Sequence, residues 1–213
     1  MNKLTSIILI LFLSLLSSPS WSETLTIDDL LERNDLFYKK YTDVPFTGEV
    51  SGMKNGKFKN GMKVGEWLTY DIEGQLNGEW LFYRENGQLK EKGNYKDDVR
   101  VGRNQWYYEN GVLNGSRNYS FNTDCPNDPL GFGCKHGLEE IFWENGVIGV
   151  RTNFKNNLET GTQETFDEDG TIKMRLFYQD GVQQGKHEFY DDNGKLIEEF
   201  IYKDGDVIQI IRH

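Results

Sequence analysis

Lys155-Asn156-Asn157-Leu158-Glu159-Thr160-Gly161-Thr162-Gln163-Glu164-Thr165-Phe166-Asp167-Glu168-Asp169-Gly170-Thr171-Ile172-Lys173-Met174-Arg175-Leu176-Phe177-Tyr178 is one copy of a unit that recurs along this chain. Its glycines, Gly161 and Gly170, stand nine residues apart, and so do Gly65/Gly74, Gly78/Gly87, Gly102/Gly111, Gly137/Gly146 and Gly185/Gly194. Five residues after each first glycine comes an aromatic: Tyr70, Tyr83, Tyr107, Phe142, Phe166 and Tyr190. Eleven residues after it comes Leu or Ile: Leu76, Leu89, Leu113, Ile148, Ile172 and Leu196. Six copies at fixed offsets make an internal repeat, and the fold is read from that repeat before anything else.

Asn-Gly and Asp-Gly tolerate the positive φ angles of tight turns, and such pairs stand at Asn86-Gly87, Asn110-Gly111, Asn145-Gly146, Asp169-Gly170 and Asn193-Gly194. Both glycines of each pair are therefore assigned to turns. Runs rich in aromatic and branched residues flank these sites, as paired strands require. A second turn signal closes each unit: Asn60-Gly61, Asp97-Asp98, Asn156-Asn157, Asp180-Gly181 and Asp204-Gly205. One unit is one β-hairpin, too weak alone and stabilised by its neighbours. The expected fold is all-β, with repeated antiparallel hairpins of period 24 residues forming an elongated, twisted sheet. Two strides depart from that period. Gly65 to Gly78 is 13 residues, as if a strand were missing, and Gly102 to Gly137 is 35, as if eleven residues were inserted.

Met1 to Ser22 reads as a secretory signal, with Lys3, an apolar run from Ile7 to Leu16, and Ser20-Trp21-Ser22 as a small-x-small cleavage site. The alternative, an inner-membrane anchor through an uncleaved N-terminus, is opposed by the length of that run, about half of the roughly 20 residues a span needs. The expectation is a periplasmic or secreted protein cleaved near Ser22. Residues 23–50 then form an N-terminal capping segment and 51–205 the repeats, with an insertion around 120–136. Residues 206–213 form a C-terminal strand or cap. In the capping segment, Thr26 with Asp29 suggests a helix capping pair, while Asn34-Asp35 between Leu30-Arg33 and Leu36-Lys39 suggests a tight hairpin. The hairpin is the favoured reading, and in either form the segment covers the first sheet edge. At the other end, Arg212-His213 is read as limiting further edge pairing.

The chain contains no alanine, the best helix former, and 14% of its residues are aromatic. Its 24 Lys and Arg against 34 Asp and Glu give a net charge of −10. That excess argues against nucleic-acid and anionic-membrane partners, which want a basic face.

Pro45-Phe46-Thr47-Gly48-Glu49-Val50, followed by Phe58-Lys59-Asn60-Gly61, Gly65-Glu66-Trp67 and repeated Glu-Asn-Gly-x-Leu units, resembles the bacterial MORN-repeat variant proteins. These are often labelled antitoxins of the YwqK type. The Leu30-Leu31-Glu32-Arg33 to Tyr38 segment is similar to what precedes the repeats in exported members. The resemblance covers nearly all of the chain after the leader. It implies an antiparallel hairpin-repeat sheet and a binding role, and it brings no catalytic residues.

Side chains alternate faces along a strand, so odd and even offsets from the first glycine lie on opposite sides. The tryptophans after the leader all fall at even offsets: Trp67 and Trp80 at two, Trp106 at four, Trp143 at six. Phe82, Tyr108, Ile141 and Phe189 join them. Trp67, Trp80, Phe82, Trp106, Tyr108 and Trp143 are therefore the candidate partner-binding strip, for a protein, peptide or glycan. The plainer reading is that both faces of a thin sheet are covered by their own side chains. A β-bulge would shift the parity.

Cys125 and Cys134 bracket the insertion. In an exported chain with two cysteines they read as a disulfide, worth about 2–3 kcal/mol for so short a loop. A metal site built from Cys125, Cys134, His136 and Asp124 or Asp128 lacks the tightly spaced ligand pairs that zinc prefers. Asn127 to Phe132 is a secondary candidate contact.

No zinc-protease, nucleophile-elbow or phosphate-loop pattern occurs, and His136, His187 and His213 belong to no motif. Glu85, Glu109, Glu144 and Glu168 sit beside turns and read as solvated rather than as paired catalytic acids. The sequence therefore predicts a non-catalytic scaffold for protein–protein interaction, without cofactor or metal. An immunity or antitoxin protein and a glycan- or envelope-binding module are the alternatives.

Overall fold

The computed structural model describes residues 25–121 and 133–213. The expected signal peptide, Cys125 and Asn127 to Phe132 lie outside the described residues.

A short 3-10 helix, Ile27–Asp29, leads into β1 (Leu30–Arg33) and β2 (Leu36–Lys39). There follow β3 (Gly48–Val50), β4 (Lys54–Lys59), β5 (Met62–Thr69), β6 (Gly78–Tyr83), β7 (Leu89–Lys96), β8 (Val99–Tyr107) and β9 (Leu113–Ser120). The second half is β10 (Cys134–Phe142), β11 (Ile148–Lys155), β12 (Leu158–Glu159), β13 (Gly161–Phe166), β14 (Ile172–Gln179), β15 (Val182–Gln183), β16 (Gly185–Tyr190), β17 (Leu196–Lys203) and β18 (Asp206–Arg212). The strands from β3 to β18 form one 16-stranded sheet, and along its main path, which leaves out β12 and β15, each strand lies beside the one before it and antiparallel to it. The short β12 and β15 pair with β11 and β14 as extensions of β13 and β16.

The two ends of each hairpin are built differently. Two-residue loops close one end, and both central residues have positive φ: 49° and 66° at Asp97-Asp98, 51° and 65° at Asn156-Asn157. This geometry matches the right-handed twist of the strands, and Asn and Asp reach it more readily than other non-glycine residues. Five-residue loops such as Arg84–Gln88 close the opposite end. There Gly87 alone has positive φ, and its N–H donates to the Arg84 carbonyl. Asn86 uses its side chain instead, with Oδ1 accepting the Gln88 N–H at 3.0 Å. Asn110, Asn145 and Asp169 repeat that bond.

The assignment of both glycines to turns is corrected by the first member of each pair. Gly65, Gly102, Gly137, Gly161 and Gly185 lie within the strand region at φ between 64° and 87°. They kink the strand where the hairpin passes from one partner to the next, which a side chain would oppose. A further irregularity recurs in each repeat. Trp106 faces Gly115 but Tyr107 faces Leu113, so Asn114 is an extra residue on the return strand. The outgoing strand keeps its alternation.

The 3-10 helix and the hairpin, alternatives in the sequence, are both present in the N-terminal segment. Thr26 and Asp29 form the capping box, and β1 pairs with β2 through Asn34-Asp35. This segment lies over one face of the sheet at β4–β6, where Leu25, Leu30, Val50, Phe58 and Trp67 form the buried core. The Phe58 ring stands 4.8 Å from both Phe37 and Trp67. The backbone of Leu25 also bridges to Val50, and the Ser51 N–H donates to its carbonyl at 2.8 Å, covering the β3 edge.

Candidate functional site

Cross-strand pairing fixes which side chains share a face, because residues directly opposite each other project to the same side. On the even-offset face one row runs Phe82, Glu91, Trp106, Gly115, Ile141, Val150, each opposite the next. Beside it run Trp80, Gly93, Asn104, Arg117, Glu139 and Thr152. The pairs Trp80–Gly93, Asn104–Arg117 and Glu139–Thr152 are each direct partners, and Arg117 ion-pairs with Glu139 through two bonds. Between these rows is an open recess of about 310 Å³ bounded by Trp80, Trp106, Arg100, Glu91, Asn104 and Tyr119.

Glycine is what lets large rings lie flat here. An added Cβ at Gly93 would fall 2.5 Å from the Trp80 Nε1, and one at Gly115 only 2.4 Å from the Trp106 Cζ2. Trp67 covers Gly56 and Trp143 covers Gly149 in the same way. Tryptophan over a cross-strand glycine is thus a recurring structural device in this sheet.

The six predicted strip residues do not form one surface. Trp80, Phe82 and Trp106 share the even-offset face. Trp67 does not: it stands opposite Leu81 and therefore projects to the odd-offset face, into the core under the N-terminal segment. Its repeat is eleven residues short, so parity counted from Gly65 does not carry across to β6. Trp67 and Trp80 are 5% and 6% exposed, so both rings are packed rather than presented. Phe82 and Trp106 are half-buried. The Lys90 ammonium sits 5.0 Å from the Phe82 ring, and the Trp106 indole donates to Asn114 Oδ1 at 2.7 Å.

Tyr108 and Trp143 lie just beyond the ends of β8 and β10, where the strand pleat no longer assigns a face. Tyr108 O–H donates to the Phe142 carbonyl at 2.8 Å, and Trp143 Nε1–H donates to the Phe166 carbonyl at 2.9 Å. Arg84 makes the equivalent bond to the Tyr107 carbonyl. These three residues occupy the same repeat slot and tie each five-residue loop to the next repeat. Trp143 is 37% exposed.

Sequence reasoning missed Asn104 and Arg100. Asn104 occupies the slot that Trp80 fills one repeat earlier, and it is buried. Arg100 lies 5.1 Å over the Trp80 ring and donates to the Tyr95 hydroxyl. The slot holds Trp67, Trp80, Asn104, Glu139, Gln163 and His187 in successive repeats, so slot-by-slot reading gives no signal for Asn104.

The odd-offset face carries a different pattern. A straight row crosses the sheet through Ser116, Glu140, Arg151, Glu164, Arg175, Glu188 and Glu199. Adjacent opposite charges pair, with Arg151 to Glu164 at 3.3 Å and Arg175 to Glu188 at 3.1 Å. The like-charged neighbours Glu188 and Glu199 are bridged by Lys186, at 2.7 and 3.0 Å. These bonds hold the Lys186 amine well above the ordinary lysine range, through Glu188 first and Glu199 second. Every carboxylate of this row from Glu140 to Glu199 is engaged by a cation, which is structural work rather than acid–base chemistry.

His187 is buried between Tyr178 and Tyr202, and its Nε2 lies 2.9 Å from the Phe177 carbonyl, to which it donates. Glu85, Glu109, Glu144 and Glu168 are exposed at the loops. Cys134 is buried at the start of β10.

The fold and these surfaces define a β-hairpin repeat protein whose units are stitched edge to edge. Residues 76–97, 100–120, 135–156, 159–180 and 183–204 match the family described as MORN repeat variant, and the chain belongs to that family. A comparison with curated proteins finds no match. One similar solved structure is titled "Crystal structure of GtfA/B complex bound to UDP and GlcNAc"; it is 14% identical with a TM-score of 0.27. The likeness covers 71% of this chain and 27% of that one.

Proposed function

We propose that this protein is an exported, non-catalytic scaffold that holds a protein partner against the even-offset face. Membership of the MORN repeat variant family, whose repeats generally serve interaction rather than catalysis, supports a binding role. The observation that carries the site is the recess beside Trp106. Aromatic walls, the Glu91 carboxylate and the Arg100 guanidinium meet there on a rigid sheet. Half-buried aromatics on a rigid support suit a protein surface, because little side-chain freedom is lost on binding. In this reading Phe82 and Trp106 make the contact, while Trp67 and Trp80 hold the sheet beneath it. Tyr108 and Trp143 extend the contact along the loop margin.

The test is affinity of the purified protein for a partner identified from its own cell envelope. Phe82→Ala/Trp106→Ala, checked for unchanged circular dichroism, weakens that binding at least about tenfold if one or two contacts of roughly 1–2 kcal/mol are lost. Unaltered affinity overturns the site. A glycan reading draws on the same recess, since a sugar ring stacks on tryptophan while hydroxyls meet Arg and Glu. Retention on a glycan array, abolished by Trp106→Ala, would favour it over a protein partner.

Export and the disulfide are part of the proposal. Intact-mass measurement of the protein from its native cell is expected to show loss of Met1 to Ser22 and of the two hydrogens of a Cys125–Cys134 bridge. A full-length reduced mass overturns both.

A further inference from the structure

The N-terminal segment does not close completely onto the sheet. Between it and strands β4–β6 is a cavity of about 270 Å³. Trp67 and Leu81, opposite each other on β5 and β6, supply its sheet side, and Ile27 of the 3-10 helix and Phe37 of β2 supply the other. Pockets for drug-sized ligands run to roughly 300–1,000 Å³, so this one suits a smaller guest. It lies on the odd-offset face, away from the recess beside Trp106.

Four charged side chains complete the wall: Glu32, Lys54, Lys63 and Glu79. They are two of each sign, yet among the described residues none of them ion-pairs with another or with any further group. Elsewhere on this face charges are matched, as Arg151 is to Glu164 and Arg175 to Glu188. Glu32, Lys54 and Glu79 are exposed, whereas Lys63 is half-buried. The Lys63 ammonium sits 5.1 Å from the Trp67 ring and 5.2 Å from the Phe37 ring, with the Tyr83 ring at 6.0 Å. Ring faces attract a cation but replace only part of the hydration it gives up. Burial therefore pushes the Lys63 amine below the ordinary lysine range, and Glu32 and Glu79 oppose this from beyond ion-pair distance.

That arrangement dictates what fits. A carboxylate placed on Lys63 gives the ammonium the anionic partner it lacks. A simple carboxylate would also meet repulsion from Glu32 and Glu79. A positive group beside the carboxylate on the same ligand removes that repulsion and engages both acids. An α-amino acid carries the two groups on one carbon and has no net charge, as the four wall residues together have none. Trp67, Leu81, Ile27 and Phe37 leave an apolar surface for its side chain.

We infer that the cavity between the N-terminal segment and β4–β6 binds a free α-amino acid with an apolar side chain, its carboxylate on Lys63 and its ammonium on Glu32 and Glu79.

The test is isothermal titration calorimetry of the purified protein with leucine, methionine and phenylalanine. At least one is expected to bind one to one, with Kd below about 1 mM. For that amino acid, the N-acetyl derivative lacks the ammonium and the amide lacks the carboxylate. Each is expected to bind about tenfold more weakly or worse. Lys63→Met and Glu32→Gln/Glu79→Gln are expected to weaken binding by the same factor with unchanged circular dichroism. Lys63→Met keeps an apolar stem and removes a poorly solvated charge, so its urea midpoint is expected to hold or rise. Lost binding with undiminished stability separates a ligand contact from a structural one. No binding of any of the three at about 10 mM, equal affinity for the N-acetyl derivative or the amide, or full binding by Lys63→Met would each overturn the inference. Phe82→Ala/Trp106→Ala, on the opposite face, leaves amino-acid binding intact, so this inference and the partner-binding reading fail separately.

Discussion

Gly115 and Trp106 show most sharply how residue identity is dictated here. Gly115→Ala brings a methyl against the Trp106 ring at 2.4 Å and the Glu140 carbonyl at 2.9 Å. It is expected to cost about 1–3 kcal/mol by overpacking, measured as the urea midpoint. Trp106→Ala in the same chain recovers the share due to the ring and leaves the share due to the carbonyl, so the two changes are not additive. Trp67→Ala is expected to cost about 3–5 kcal/mol, because it empties the core between the sheet and the N-terminal segment. Trp143→Ala, at a half-solvated ring with one bond to the Phe166 carbonyl, costs about 1 kcal/mol. At this scale the sequence marked Trp67, Trp80, Trp106 and Trp143 as special but not why. The stacking partner of each is a glycine on another strand, and offset counting alone does not show which glycine that is.

The repeated hairpin element carries most of what was legible. Its stride and aromatic slot follow from the sequence pattern, and so do the turn sites. The division of labour between the two turn types does not, because Asn-Gly and Asn-Asn carry the same propensity until the loop length is known. Asn157 has φ of 65° and its Oδ1 accepts from the Lys135 N–H at 2.7 Å. Asn157→Ala loses both the tolerated backbone and the inter-repeat bond, an expected loss of about 2 kcal/mol by urea unfolding.

Acid sensitivity also belongs to this scale. Backbone N–H groups in the five-residue loops hold Asp71, Asp169 and Asp191 below the ordinary aspartate range, from Gln75, Thr171 and Lys195 respectively. Burial pushes the Glu188 carboxyl up, but Lys186, Tyr190 and Arg175 together bring it below its ordinary value. Lowered folded-state values give stability that is present above the unfolded-state pKa and lost as pH falls through the folded one. The urea midpoint is therefore expected to hold above about pH 5 and to fall below about pH 4. Asp191→Asn keeps the acceptor without the titration and makes that fall shallower.

Across the whole molecule, stability is a sum over neighbouring hairpins with unequal ends. The N-terminal end has a cover and a small core, whereas β18 presents apolar side chains to water. Hydrogen exchange is expected to be fastest in β18 and slowest from β5 to β11. Equal protection at the two ends would mean that the N-terminal cover adds nothing. By itself the sequence determined the all-β class, the hairpin stride and the Asn-Gly and Asp-Gly turn sites, because these rest on local spacing and backbone preference. Only the tertiary structure decided that Trp67 and Trp80 lie on opposite faces, that charges from distant repeats fall into one row, and that the β3 edge of the sheet is covered by the N-terminal segment. Those outcomes depend on the register between strands. Register is set by a shortened repeat, by recurrent bulges and by kinks at mid-strand glycines, whose effects add up across the sheet.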